Sequence, residues 1–250
     1  MISLEALRMR YDPFPIGIVR NFIRTELYED LLDTYPPPEA FIEADNIGRK
    51  YTLSEKYNPR EYHQWIRTHE AWQSFHDYVK SPDFVVDILD RLLERGIDLG
   101  IRYEWSAVKK ALFRLRAMAV GGSGLKAARL RPRFEFSALP AQGGSVVPHT
   151  DNASKVVTIV VPMVREGEWD PEWGGSTECS RPVDTSRLFN RRNFQLGFEE
   201  VKEVVSFPFE SNQAILFVKT FNSWHCVRPM TSPDPFAYRR TLTINIEIPD

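Results

Sequence analysis

Tyr238-Arg239-Arg240-Thr241-Leu242-Thr243-Ile244-Asn245-Ile246-Glu247-Ile248 (residues 238–248) alternates apolar and polar side chains from Thr241 onward. Leu242, Ile244, Ile246 and Ile248 fall on one face, and Thr241, Thr243, Asn245 and Glu247 on the other. That is the period-two pattern of a strand with one buried face. Working back along the chain, Ala214 to Val218, Val201 to Phe207, Val156 to Val161 and Phe134-Glu135-Phe136 are further short apolar runs separated by Gly, Pro, Asn and Asp. They predict strands joined by turns. No helix of comparable quality separates them, so an antiparallel sandwich or jelly roll fits better than a βαβ sheet.

The first hundred residues read differently. From Thr25 to Tyr35, Leu27, Leu31, Leu32 and Tyr35 share one helical face, and Pro36-Pro37-Pro38 ends the segment. The stretch from Arg60 to Lys80, with Trp65, Trp72, Phe75 and Val79, predicts an amphipathic helix. Phe84, Val85, Ile88, Leu89, Leu92 and Leu93 form a second stripe that Gly96 can cap. The expected class is α+β, mainly β with N-terminal helices: a helical region at 1–100 packing on a jelly-roll core at 101–250, one structural domain overall. Gly121-Gly122-Ser123-Gly124 reads as a lid or plain turn, and residues 165–200 as a long insertion between strands, a common location for function.

With 250 residues and 42% hydrophobic side chains the chain can bury a sizeable core, which excludes disorder. Lys and Arg number 32 against 34 Asp and Glu, a net charge of -2, so no nucleic-acid partner and no membrane surface is expected. Arg8 and Arg10 precede any apolar run, so neither a signal peptide nor a membrane span is drawn, and a cytoplasmic location is expected. Two cysteines, Cys179 and Cys226, make no disulfide framework and have no zinc-finger spacing.

Of the five histidines, His63, His69 and His76 lie in the helical half and read as surface or packing residues. His149 stands in Val147-Pro148-His149-Thr150-Asp151, and in an extended chain residues i and i+2 project to the same side, so His149 and Asp151 can face one metal. His225 is the only histidine downstream. Two histidines and one carboxylate on one face of a metal are the ligand set of non-haem Fe(II) oxygenases, which leaves positions open for a co-substrate and dioxygen. On the closing strand Arg239, Thr241 and Thr243 share a face, and a guanidinium fork beside hydroxyls suits bidentate grip of a carboxylate. The alternative is that Arg239 and Arg240 only solubilise a strand end.

The order His149-x-Asp151, His225, Arg239-x-Thr241 resembles the iron(II)- and 2-oxoglutarate-dependent dioxygenases, especially the branch similar to prolyl hydroxylases. Trp173-Gly174-Gly175 and the run Asn212 to Phe217 are similar to the glycine turn and apolar strand of that branch. The likeness covers about residues 131–248; before residue 100 it extends only to an aromatic-proline start and a short helix. The resemblance implies a double-stranded β-helix with helices outside one sheet. It implies Fe(II) held by His149, Asp151 and His225, and the distal carboxylate of 2-oxoglutarate held by Arg239 and Thr241. Arg240 is one step out of phase, yet the long gap after His225, containing Pro229, Pro233 and Pro235, leaves a slip to Arg240 open. Asp151 sets the chain apart from halogenating relatives, which lack that carboxylate. The implied reaction is hydroxylation, or a related two-electron oxidation, of an unidentified peptide, protein side chain or small metabolite. Succinate and CO2 would be released, with O2 and 2-oxoglutarate as the other reactants.

Several residues are weighed for lesser roles. Cys226 would face away from His225 and read as packing. Lys219 and Asn222 could touch the outer shell of a metal, Arg131 and Arg133 could stand near the mouth, and Trp169 and Trp173 could line a substrate groove. Two rival readings remain: a non-enzymatic, cupin-like ligand-binding jelly roll, and a zinc hydrolase, which the same ligand set permits.

Overall fold

Residues 1–44, 50–99 and 130–248 are described by the computed structural model. Along β12 (Tyr238–Glu247), Leu242, Ile244 and Ile246 are fully buried on one face, as the alternation predicts. That strand sits in the middle of an antiparallel sheet, between β5 (Arg131–Pro140) and β7 (Lys155–Pro162). Beyond β7 come β10 (Gln213–Val218), β2 (Ile16–Arg20) and β1 (Arg8–Arg10); beyond β5 come β4 (Lys50–Ser54) and β3 (Ile42–Ala44). A second antiparallel sheet runs in the order β6 (Val146–His149), β11 (His225–Val227), β8 (Thr177–Pro182) and β9 (Val201–Phe207), so β6 is an edge.

The large sheet has two unlike faces. Its apolar face, including Phe134, Phe136, Ile159 and Ile244, joins one core with the helices α1 (Thr25–Asp33), α2 (Pro59–Thr68), α3 (Glu70–Lys80) and α4 (Pro82–Glu94). Trp72 and Phe75 of α3 meet Phe134 and Phe136 edge to face, with ring centroids 4.6–6.0 Å apart. Each such buried side chain contributes about 1.5–3 kcal/mol. The other face carries Glu135, Ser137, Thr158, Arg239, Thr241 and Asn245, all buried despite their polarity. Burial at this cost requires partners, and Glu135 has Lys50 at 2.6 Å and Arg133 at 2.7 Å.

Tyrosines fix α1 to the sheet. Tyr28 Oη donates to the Pro162 carbonyl at 2.7 Å and accepts from the Asn212 amide at 3.0 Å. Tyr35 Oη reaches the Ser137 and Thr241 carbonyls at 3.0 and 3.1 Å. Helix α4 begins with the Ser81 hydroxyl accepting from the Phe84 amide and ends at Gly96, whose φ of 75° suits glycine.

Every predicted strand coincides with an observed one, except that β12 ends at Glu247, one residue short of the expected Ile248; four further expectations need correction. The first hundred residues are not wholly helical: β1 to β4 come from them and extend the large sheet on both sides. The stretch 60–80 is two helices, broken at His69 (φ -126°, ψ 107°). Trp65 and Trp72 both donate to the Thr34 carbonyl, at 3.3 and 2.8 Å. Seven residues of unbroken helix would set them about 10 Å apart along the axis, so the break lets both indoles reach one acceptor. The supposed insertion at 165–200 contains β8. The segment Phe134–Phe136 is only the centre of β5. The glycine cluster at 121–124 and the expected boundary at residue 100 lie outside the described residues.

Candidate metal centre

Strand pairing places His149, the last residue of β6, directly opposite His225, the first of β11. Both rings are buried, with centroids 4.3 Å apart. Asp151 joins them by a local turn that differs from the extended geometry expected of His149-x-Asp151. Strand β6 stops at His149, and Asp151 adopts φ 68°. This left-handed conformation is tolerated by Asp better than by most residues. Its carboxylate lies 3.5 Å from His149 Nε2 and 3.8 Å from His225 Nε2.

Each histidine is oriented by its own backbone. His149 Nδ1 is 2.9 Å from the Val147 carbonyl oxygen, and His225 Nδ1 is 2.9 Å from the Ser223 carbonyl oxygen. A carbonyl only accepts, so each Nδ1 carries a proton, and Nε2 is the nitrogen that holds the lone pair in the neutral ring. One donor atom from each of the three residues falls within 4.8 Å of the others. Burial and the neighbouring His149 push the His225 imidazole down to about 3, which keeps it neutral. Burial works against the Asp151 charge, but the Lys155 ammonium beside it holds its carboxyl well below the usual carboxylate range. Two imidazole Nε2 atoms and an ionised carboxylate fit a divalent first-row cation.

Asp151 is held from outside this cluster as well. Lys155 Nζ donates to its Oδ1 at 2.6 Å, and the Thr158 hydroxyl lies 3.4 Å from Oδ2. The Ser223 hydroxyl donates to the Thr150 carbonyl at 3.3 Å, tying together the two chain segments that carry the donors.

Between the sheets is a cavity of about 100 Å³ that His149, Asp151, His225, Arg239, Thr241 and Thr243 all line. Arg239 is buried; its Nε donates to the Gly175 carbonyl at 2.6 Å and one terminal nitrogen to the Thr177 hydroxyl at 3.3 Å. Its guanidinium lies 4.7 Å from the Phe209 ring centre. Among the described residues no carboxylate forms an ion pair with it, and burial pulls it down to about 10, leaving it charged at neutral pH. Arg240 points to the other face, over the Tyr35 ring at 5.6 Å and 3.9 Å from Glu168. Arg239 shares the cavity with the histidines, and Arg240 lines a different hollow.

Lys155, Thr158 and Thr177 escaped the sequence reading, and Gly175 entered it as part of a turn without a role at Arg239. Only Gly175 carried a signal, in the Trp173-Gly174-Gly175 turn: φ is 86°, and a Cβ there would stand 3.0 Å from Trp169 and 3.4 Å from Arg239 Cδ. Trp169 and Trp173 line a separate hollow of about 590 Å³ with Tyr51, Tyr238 and Arg240. This larger hollow contains none of the three metal donors, so its size does not make it the reactive site. Arg133 is engaged by Glu135 and Glu247, and Asn222 donates to the Pro13 carbonyl. Buried Cys226 lies 3.8 Å from the Ser180 hydroxyl, consistent with packing.

No family model matches the chain, and no curated protein matches it. Among solved structures it is similar to a prolyl hydroxylase from Trichoplax adhaerens in complex with a hypoxia inducible factor oxygen degradation domain peptide fragment. The TM-score is 0.50 at 12% identity, covering 93% of this chain and 83% of that one. A prolyl-4-hydroxylase from Pseudomonas putida gives a TM-score of 0.49 at 12% identity, over 94% of this chain and 92% of that one. HygX from Streptomyces hygroscopicus, solved with nickel and 2-oxoglutarate bound, gives 0.45 at 11% identity, over 93% and 82%. The first of these likenesses shows a shared fold, mostly β with two antiparallel sheets and flanking helices.

Proposed function

We propose that this protein is an iron(II)- and 2-oxoglutarate-dependent oxygenase built on a double-stranded β-helix, with His149, Asp151 and His225 as metal ligands. The observation that carries the proposal is one cavity containing both a His-Asp-His donor set and a buried guanidinium without an acidic partner among the described residues. A bound ferrous ion would supply oxidation by dioxygen coupled to conversion of 2-oxoglutarate into succinate and CO2. The protein's share is orientation. The Val147 and Ser223 carbonyls fix both imidazole tautomers, so Nε2 is the lone-pair nitrogen of each neutral ring. Lys155 and Thr158 hold the Asp151 carboxylate in its ionised form. Arg239 and Thr241 would receive the distal carboxylate of 2-oxoglutarate, the guanidinium fork matching it in a site shielded from competing water. The Gly175 carbonyl and Phe209 ring keep that fork in place.

Arg239, without an acidic partner among the described residues, favours this reading over a zinc hydrolase, in which it has no role, and the His-Asp-His set in the same cavity favours it over a plain ligand-binding jelly roll, which needs no such set. Anaerobic titration with Fe(II) and 2-oxoglutarate tests it. A weak visible charge-transfer band should require both components and disappear in His225→Ala and Asp151→Ala. Metal binding without 2-oxoglutarate affinity would favour the hydrolase, and binding of neither would favour the ligand-binding module.

A further inference from the structure

The segment Leu188–Leu196 is fastened to the neighbours of all three metal-site residues. The Leu196 amide donates to the Pro148 carbonyl at 3.0 Å, Thr150 Oγ1 lies 3.5 Å from the Asn190 carbonyl oxygen, and Trp224 Nε1 donates to the Leu188 carbonyl at 2.9 Å. These partners immediately precede His149, Asp151 and His225 in the chain. Asn190 is buried and bonds twice to Phe194, at 2.7 and 3.0 Å, closing the segment on itself. Its own amide donates to the Phe221 carbonyl at 2.7 Å. The segment is therefore a fixed rim to the site.

What the rim presents is positive charge. Arg191 and Arg192 are exposed, and the Arg191 guanidinium stands 5.7 Å from the Phe221 ring centre. Lys219 Nζ approaches the same ring at 5.2 Å and donates to the Thr220 carbonyl at 2.7 Å. Half-buried, Lys219 sits where β10 runs out beside β7, its amide bonded to the Val156 carbonyl, next to Lys155. Among the described residues none of Arg191, Arg192 and Lys219 forms an ion pair, whereas Arg187 nearby is paired with Asp184 and Glu200. Two exposed arginines on a segment fixed to the metal-site backbone, with a half-buried lysine beside it that feels the Asp151 charge, make a basic patch suited to an anion.

We infer that the substrate of this site carries an anionic oxyacid group, a carboxylate or a phosphate, received by Arg191, Arg192 and Lys219. The inference rests on the oxygenase proposal for the site's chemistry, but the receptor itself requires only the chain. It assigns the loop a specificity role.

Calorimetric titration of the full chain with phenyl phosphate, phenylacetate and neutral benzyl alcohol tests it, with Mn(II) as a redox-inert metal and 2-oxoglutarate saturating so that Arg239 is occupied. Repeating the titration on Arg239→Met removes that guanidinium as an alternative acceptor. The anions should bind and benzyl alcohol should not, with affinity falling as salt is raised. Arg191→Gln/Arg192→Gln/Lys219→Gln should weaken the anions at least about tenfold, the scale of one charge-assisted hydrogen bond. Arg191→Lys/Arg192→Lys, which keeps the charge, should bind them within about threefold of the parent. Tighter phenyl phosphate would identify a phosphate receptor, and tighter phenylacetate a carboxylate receptor. Equal binding of benzyl alcohol, unchanged anion affinity in the triple variant, or no probe binding at all would overturn the inference. Mn(II) affinity in the same experiments separates the two proposals: its loss with anion binding intact removes the metal reading alone.

Discussion

Replacing Arg239 by methionine separates affinity from stability. In the folded chain the guanidinium makes hydrogen bonds to the Gly175 carbonyl and the Thr177 hydroxyl and packs on Phe209, but it has no counter-ion among the described residues. Its removal costs the cation–π contact, about 0.5–2 kcal/mol, and leaves one buried carbonyl without its donor, about 1–3 kcal/mol. Against this, a buried unpaired charge is relieved and an unbranched apolar side chain fills the space. The terms oppose one another, so urea denaturation of the metal-free protein should place Arg239→Met within about 2 kcal/mol of the parent. Affinity should change far more. Two parallel charge-assisted hydrogen bonds to a carboxylate, each about 1.5–3 kcal/mol, correspond to about 3–6 kcal/mol, a loss of more than about a hundredfold in Kd for 2-oxoglutarate. Calorimetry on the Mn(II)-loaded protein reads that loss, with Arg240→Met as the control expected to bind normally. A change below about threefold in Arg239→Met, or a large loss confined to Arg240→Met, would refute the assignment of the guanidinium that receives the co-acid.

Three further outcomes follow from the packing. Burial alone would raise the Glu135 carboxyl, but Lys50 and Arg133 hold it at about 2 against an ordinary value of 4.5. A depressed folded value means the contribution is complete above pH 4.5 and fades as pH falls toward 2. Urea denaturation should show Glu135→Gln losing stability at pH 7, by up to about 3 kcal/mol, and matching the parent at or below about pH 2; an equal deficit at both ends would remove the ion pairs as its cause. Gly175→Ala forces a side chain into a φ of 86° and against Trp169. It should lower stability by about 1–3 kcal/mol and weaken 2-oxoglutarate binding by displacing Arg239, so normal binding would sever that link. The buried Tyr62 hydroxyl has no hydrogen-bond partner among the described residues. Tyr62→Phe should therefore match or exceed the parent in thermal unfolding by up to about 1 kcal/mol, and a loss above that would reveal a partner.

What the sequence disclosed follows from how strongly each residue type reports its surroundings. Strand β12 was legible because one face meets a helical layer and the other a polar cavity, which writes alternation into the chain. Strand β8 was not, since Thr177-Glu178-Cys179-Ser180 is polar yet buried, Glu178 being held by Arg228 at 2.5 and 3.0 Å. Such a segment reads as loop until its partners are known. Strands β1 and β3 have only three residues each and lie at the sheet's edges, where short length and charge are the usual protections against aggregation. They resemble turns. The three donor residues were named from residue type and order, but the stated reason for Asp151 was wrong: a left-handed turn brings it round, and no periodicity encodes that. Lys155 and Thr158 were missed because their roles depend on that turn.

Pairing His149 with His225 has a dynamic consequence. The two residues sit on adjacent strands, one of them the edge strand of the four-stranded sheet. An ion bridging them would act as a clasp, so fraying of β6 would require its release. At a free metal concentration a hundred times the dissociation constant, mass action opposes that opening by about 2.7 kcal/mol. Amide exchange along Val146–His149 would slow about a hundredfold while strands far from the clasp kept their rates. The frayed margin would be the door through which the ion comes and goes, and the lifetime of the loaded centre would be set by the breathing of a four-residue strand.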